Sequence, residues 1–164
     1  MADDILYGLG GDDVLIGNEG ADQFRLASWT GIDDIIDFTS GEDVIGLNRI
    51  EFQNTTASFD GQVLDSEDYV ENIMALSNMS RAEDKKLVEL HSAASSTQIS
   101  LTDTSAAVEA YVLVFNLTSG EGELWYDQDW STSDDRFHAA TLSNVQDPLD
   151  LVGFSNTDFV EYLF

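Results

Sequence analysis

The sequence predicts a mostly β protein: a short parallel β-roll continued into a C-terminal β cap with one or two helices. Three observations carry that expectation. The first two dozen residues repeat with a period of nine. Later segments alternate apolar and polar residues between Gly-containing turns. Hydrophobic residues make up 43% of the 164, enough for a packed core even at a formal net charge of −26. The roll and its terminal coils are assigned to residues 1–47 and the cap to residues 48–164.

The repeat is legible column by column. Asp4, Asp13 and Asp22 are nine apart, as are Leu6, Leu15 and Phe24, the pair Gly8 and Gly17, and the pair Gly11 and Gly20. Six residues with Gly at fixed places make a turn, since Gly reaches positive φ and lets the backbone approach an ion closely. The stretch that follows, such as Asp13-Val14-Leu15, is a brief strand with Leu15 pointing inward. Two nonapeptides form one coil, so Asp4 should face Asp22. The turn ending at Asp13 should stack on a segment near Trp29 to Asp33. Carboxylates and carbonyl oxygens then converge, and an anionic, oxygen-only donor set suits Ca²⁺ better than a transition metal.

This register resembles the glycine- and aspartate-rich nonapeptide G-G-x-G-x-D-x-U-x of RTX proteins, where U is a large apolar residue. The resemblance implies a ligand scheme of the sixth-position Asp plus main-chain oxygens of the turn. Here that selects Asp4, Asp13 and Asp22, with carbonyls from Gly8, Gly10, Gly17 and Glu19. Two positions depart from the pattern, Leu9 and Asn18 at the second Gly. Asn tolerates the left-handed region comparatively well, whereas Leu resists it.

The chain continues into a segment similar to the end of many RTX regions, matched by Asp22, Phe24, Gly31, Asp33, Ile35, Asp37, Phe38, Gly41, Asp43, Ile45 and Leu47. Short strands are expected at Ile35 and from Val44 to Leu47, around a Thr39–Asp43 turn. Asp33, Asp37 and Asp43 serve either as further ligands or as the polar outer face of the final coils. Gly46 stands where the pattern has an Asp in the last strand, so no ligand is expected there.

Between residues 50 and 107, Ser66 followed by Tyr69, Val70, Ile73, Met74 and Leu76 reads as a capped amphipathic helix. A second helix is read from Ser80 through Ala94, with Ala82, Leu87, Val88 and Leu90 partly on one face. Both are expected to cover the end or flank of the roll. Residues 108–127 read as a β-hairpin turning at Thr118–Gly122. With the tail they resemble the ending of type I-secreted RTX proteins, through Phe115, Asn116, Gly122, Leu124, Tyr126, Asp127, Asp129, Ala140, Leu142, Val145, Asp158 and Phe159. Trp130 replaces that pattern's Gly. An EF-hand reading from Asp127 fails because Thr132 stands where Gly is needed and His138 where Glu is needed.

Charge narrows the functions. With 32 Asp+Glu against 6 Lys+Arg, the clustered cations needed to bind nucleic acid or an anionic membrane are missing. A compact body so charged repels itself, and bound cations relieve that most simply. Cysteine is absent, which removes disulfides, thiolate metal sites and cysteine nucleophiles. His91 and His138 are the two histidines, and no nucleophile elbow, H-E-x-x-H or phosphate loop occurs, so no enzyme is expected. The longest purely apolar stretch, Ala110–Phe115, is too short for a membrane span.

The resemblance implies a calcium-binding C-terminal module of a larger secreted bacterial protein. It is exported by type I machinery that reads an uncleaved C-terminal signal, which fits an N-terminus without signal-peptide features. It would be extracellular, with its passenger domain upstream, and would fold on Ca²⁺ outside the cell. The alternative is a polysaccharide- or cell-surface-binding module, with a glycan contacted by Trp29, Trp125 and Trp130 if these are exposed rather than buried. An open N-terminal edge of the roll would favour weak self-association.

Overall fold

The computed structural model describes residues 2–26, 30–48, 61–73, 87–94, 109–132 and 136–162, with the side chains of 70–73 and 88–94 left undescribed. The protein is mostly β. Strands β1 (Ile5–Tyr7), β3 (Gln23–Leu26), β5 (Val44–Asn48), β12 (Phe159–Tyr162) and β6 (Gln62–Val63) form one sheet in that order. The second sheet runs β2 (Val14–Leu15), β4 (Asp33–Ile35), β11 (Phe137–Leu142), β10 (Glu121–Asp127), β9 (Ala110–Asn116), β8 (Leu87–Ala94) and β7 (Tyr69–Ile73). Both sheets are mixed.

Their N-terminal ends are parallel throughout. Successive strands alternate between the sheets, so β1 pairs with β3 in the register Ile5↔Gln23, and β3 with β5 as Phe24↔Ile45. On the other side β2 pairs with β4 as Leu15↔Ile35. The C-terminal part extends both stacks: β12 adds to β5 with Phe159↔Ile45, and β11 to β4 with Ala140↔Asp33, both parallel. The antiparallel pairs are β9 with β10, β10 with β11, and β12 with β6.

The apolar column of the repeat becomes the core. Leu15 is 6% exposed, and Phe24, Ile35, Ile45 and Phe159 are fully buried in one cluster spanning both sheets. Phe38 bridges to the C-terminal part: its ring stacks on Phe154 at 5.2 Å and 8°, and lies 6.3 Å from Phe24. Leu9 and Asn18 both adopt positive φ, at 51° and 69°. The second-Gly positions thus keep the left-handed geometry without Gly. Gly46 has its own reason: a Cβ there would lie 3.0 Å from Arg25 Cγ and 3.1 Å from Tyr162 Cδ1. Arg25 lies 4.9 Å from the Tyr162 ring centroid, and this packed pair passes over the bare glycine.

Two expectations are corrected. Tyr69–Ile73 and Leu87–Ala94 are strands, not helices. Ser66–Asp68 is a turn entering β7 rather than a helix cap. The reason lies in tertiary pairing: β8 aligns in parallel with the apolar β9, Leu87 against Tyr111 and Val88 against Val112, and β7 pairs in turn with β8. The remainder of both helical readings, residues 74–86, lies outside the described residues. Helical turns occur elsewhere, as 3₁₀ helices at Pro148–Gly153 and Asn156–Asp158, each begun by a capping box, from Asp147 and from Ser155.

Candidate metal centre

The parallel stacks place aspartates in rungs. Asp4, Asp22, Asp43 and Asp158 each stand immediately before one of the four adjacent strands β1, β3, β5 and β12. The carboxylates of Asp22, Asp43 and Asp158 accept backbone N–H groups from the rung before them. Asp22 Oδ1 accepts from Asp4 N at 2.8 Å, and Asp43 Oδ1 from Asp22 N at 2.9 Å. Asp43 Oδ2 accepts from Thr39 N at 2.8 Å, which also fastens its own turn. Asp158 Oδ1 accepts from Gly41 N at 2.7 Å, and its Oδ2 accepts from Ser155 N. The second stack repeats the arrangement once, with Asp13 N donating to Asp33 Oδ1 at 3.3 Å. It then stops, because Ala140 occupies the next register position.

The first acids of the doublets Asp3-Asp4 and Asp12-Asp13 point the other way along the stack. Asp3 Oδ1 accepts from Ala21 N, and Asp12 Oδ1 from Ile32 N. Asp37 holds a turn with both oxygens, accepting from Gly17 N at 3.0 Å and Asn18 N at 2.7 Å.

One oxygen in the ladder stands apart. Asp22 is 1% exposed, and its Oδ2 has no hydrogen-bond partner. A Cβ placed on Gly17 would lie 2.4 Å from that oxygen. A Cβ on Gly20, where φ is 139°, would lie 2.3 Å from the Ala2 carbonyl and 3.5 Å from Asp22 Oδ1. The two glycines therefore let Asp22 Oδ2 and the Ala2 carbonyl approach the 17–20 turn more closely than any side chain would allow. The next turns are packed in the same way: a Cβ on Gly8 would meet Asp33 Oδ2 at 2.0 Å, and one on Gly31 the Gly11 carbonyl at 2.1 Å.

Electrostatics agree with an unrelieved charge. Burial pushes the Asp33 carboxyl above the usual carboxylate range, and the neighbouring Asp13 and Asp12 push it further against the pull of the Asp13 N–H. Burial likewise raises Asp43, with Asp22 and Glu42 adding to it.

Of the ten residues expected as ligands, the structure brings together Asp4, Gly17 and Asp22, with Asp43 behind them, and separately Gly8, Asp13 and Asp33. Asp4 and Asp13 contribute their N–H groups to the next carboxylate. Gly10 and Glu19 lie exposed in the bends of the two turns, and Asp37 is committed to Gly17 and Asn18. Among the described residues no three His, Cys, Asp or Glu side chains gather as metal ligands. A cation held by Asp22 or Asp33 would complete its shell with main-chain oxygens and water. Hard oxygen donors around an unpartnered buried carboxylate oxygen fit calcium.

Sequence reasoning missed Asp158 as a rung of the ladder, since 115 residues separate it from Asp43. It also missed Asp3 and Asp12, although their nine-residue spacing beside Asp4 and Asp13 was visible. Trp130 is 1% exposed, so it is a core residue rather than a surface contact. Trp125 is half-buried, stacked on His138 at 4.6 Å and hydrogen-bonded through Nε1 to Glu123. Trp29 lies outside the described residues. Neither a scan against protein-family models nor a search of curated proteins finds a match to this chain. No described helix is long and apolar enough to cross a membrane.

Proposed function

We propose that the chain is a calcium-binding module of RTX type, whose nonapeptide coils form a short parallel β-roll. The observation that carries this reading is Asp22 Oδ2, a buried carboxylate oxygen without a partner, lying where only a glycine at position 17 leaves room for it. Uncompensated buried charge costs several kcal/mol. A ladder that nonetheless places Asp22, Asp33 and Asp43 inside the stack is suited to receive a cation.

A bound calcium ion would supply positive charge among these carboxylates and no other chemistry. Asp22 would hold it through Oδ2 while Oδ1 keeps the Asp4 N–H, and Asp33 would act in the same way through its Oδ2 beside Gly8. Such ligand sets exist only when the coils are stacked, so folding and binding are linked. Saturation of one site at 100-fold above its Kd adds about 2.7 kcal/mol. Extracellular calcium modules work at Kd values on the order of 10⁻⁴–10⁻³ M, which matches a chain that stays expanded in a low-calcium cytoplasm and folds outside. The resemblance of the C-terminal segment extends the proposal to type I export of a larger secreted protein, with the signal in the last residues and the passenger elsewhere.

Isothermal titration with CaCl₂ tests the site. The native chain is expected to show saturable binding, and Asp22→Asn to lose at least one equivalent. Identical isotherms for the two proteins would overturn the assignment of Asp22.

A further inference from the structure

The turn after β10 surrounds a cation that belongs to the protein. Asp127, the last residue of β10, is 3% exposed, and its Oδ1 accepts from Asp129 N at 2.9 Å. Asp129 Oδ1 in turn accepts from Ser131 N at 3.0 Å, and Asp129 O accepts from Thr132 N at 3.1 Å, so the backbone from 127 to 132 is tightly curled. Arg136 reaches into this curl with its side chain 4% exposed. Its Nε donates to Asp127 Oδ2 at 3.3 Å, and its Nη2 to the carbonyls of Thr132 at 2.7 Å and Trp130 at 3.5 Å. The guanidinium carbon sits 4.7 Å from the centre of the Trp130 ring, which is itself fixed by Nε1 donating to Ala110 O at 2.9 Å.

The oxygens converging on the guanidinium are one carboxylate and two main-chain carbonyls. That is a hard-oxygen donor set of the kind calcium takes. The aromatic wall adds the attraction of its π face for a positive charge. Burial pushes the Asp127 carboxyl upward, and the Arg136 charge opposes that push. Beside the Asp129 N–H, Arg136 supplies from within the chain the positive charge that this buried carboxyl faces.

We propose that the Asp127–Thr132 turn is a cation cage with the Arg136 guanidinium as its permanent occupant, and that removing this side chain converts the cage into a divalent-cation site. The cap end of the molecule then holds its shape with no metal at this turn. This inference stands on the turn's own geometry, independently of what the N-terminal coils bind.

The full chain carrying Arg136→Ala tests it by thermal unfolding and by terbium luminescence excited through tryptophan. In chelator, Arg136→Ala is expected to melt about 10 °C below the native chain, as for a lost buried ion pair in a domain of this size. Millimolar CaCl₂ should narrow that gap by about half beyond whatever it adds to both proteins through the N-terminal coils. Arg136→Lys, which keeps a positive charge, should lose less in chelator and gain no such rescue. Terbium emission should rise in Arg136→Ala over the native chain, and the increment should vanish when Trp130→Phe is added. If Arg136→Ala fails to fold in chelator, the terbium signal of the variant folded in the metal decides: an increment lost with Trp130→Phe supports the cage and its absence contradicts it. An unchanged melting gap in CaCl₂, or an absent terbium increment, would overturn the proposal.

Discussion

At the scale of single residues, the protein keeps left-handed turn geometry at two positions where the repeat lacks glycine, with unequal cost. Asn18 tolerates its φ of 69°, whereas Leu9 at 51° carries the steric penalty of a side chain in that region, about 1–2 kcal/mol. Leu9 is 55% exposed, so its removal loses little burial. Leu9→Gly is expected to raise stability by up to about 1 kcal/mol once the extra freedom of glycine in the unfolded chain is deducted, and Leu9→Ile to lower it. Urea unfolding of the two variants measures both signs. Asp22→Asn should have opposite effects in two conditions: melting at or above the native temperature in chelator, because a buried charge is gone, and below it in CaCl₂.

The acid pH dependence follows from the same residues. Asp33 and Asp43 have folded-state pKa values raised above the ordinary value near 3.8, mainly by burial. In the window between that value and the raised ones, the folded chain binds more protons than the unfolded chain, so metal-free stability falls as pH rises through it. Acidification through the window should therefore stabilise the protein in chelator, and Asp33→Asn should flatten the profile. His138 acts in the opposite direction: burial holds its imidazole below the ordinary 6.5, so its contribution is lost as pH falls through that region. Thermal melts in chelator from neutral to acid pH, on the native chain and on His138→Gln, separate the two.

At the scale of elements, local pattern and tertiary pairing divided the chain between them. The nine-residue register made β1 to β3 legible, because each inward side chain recurs at a fixed offset, and β4 and β5 were legible from alternation around the Thr39–Asp43 turn. The hairpin β9–β10 was legible from the Gly-containing segment Thr118–Gly122, although the turn itself ends at Gly120 and β10 begins at Glu121. The strands β7 and β8 were not, since Tyr69–Ile73 and Leu87–Ala94 contain apolar residues at both strand and helix spacings. What decides them is pairing in a sheet led by β9, which is remote in sequence and invisible to a local reading. The aromatic bridge belongs to this scale too. Phe38→Ala breaks the stack on Phe154 and should cost about 3–5 kcal/mol, measured by denaturant unfolding.

At the scale of the whole molecule, residues 1–47 and 48–164 share both sheets, through β5 with β12 and β4 with β11. A fragment ending at Asn48 would leave those strands without their neighbours and Phe38 without Phe154. It is expected to stay unfolded by circular dichroism even in millimolar calcium. The same closure explains why Asp158 escaped notice as part of the ladder: its role is set by where β12 docks, and no spacing rule reaches across 115 residues. The glycine cradle at Gly17 and Gly20 was half legible, in that the turn glycines could be named but the orphaned oxygen of Asp22 could not.

The central claim is that the stacked aspartates are completed by calcium, and thermal unfolding with and without the ion tests it most directly. The melting temperature of the native chain, followed by circular dichroism, should climb with CaCl₂ over the millimolar range and fall back in chelator, with Mg²⁺ a poor substitute. An identical spectrum and melting temperature in saturating CaCl₂ and in chelator would contradict the account.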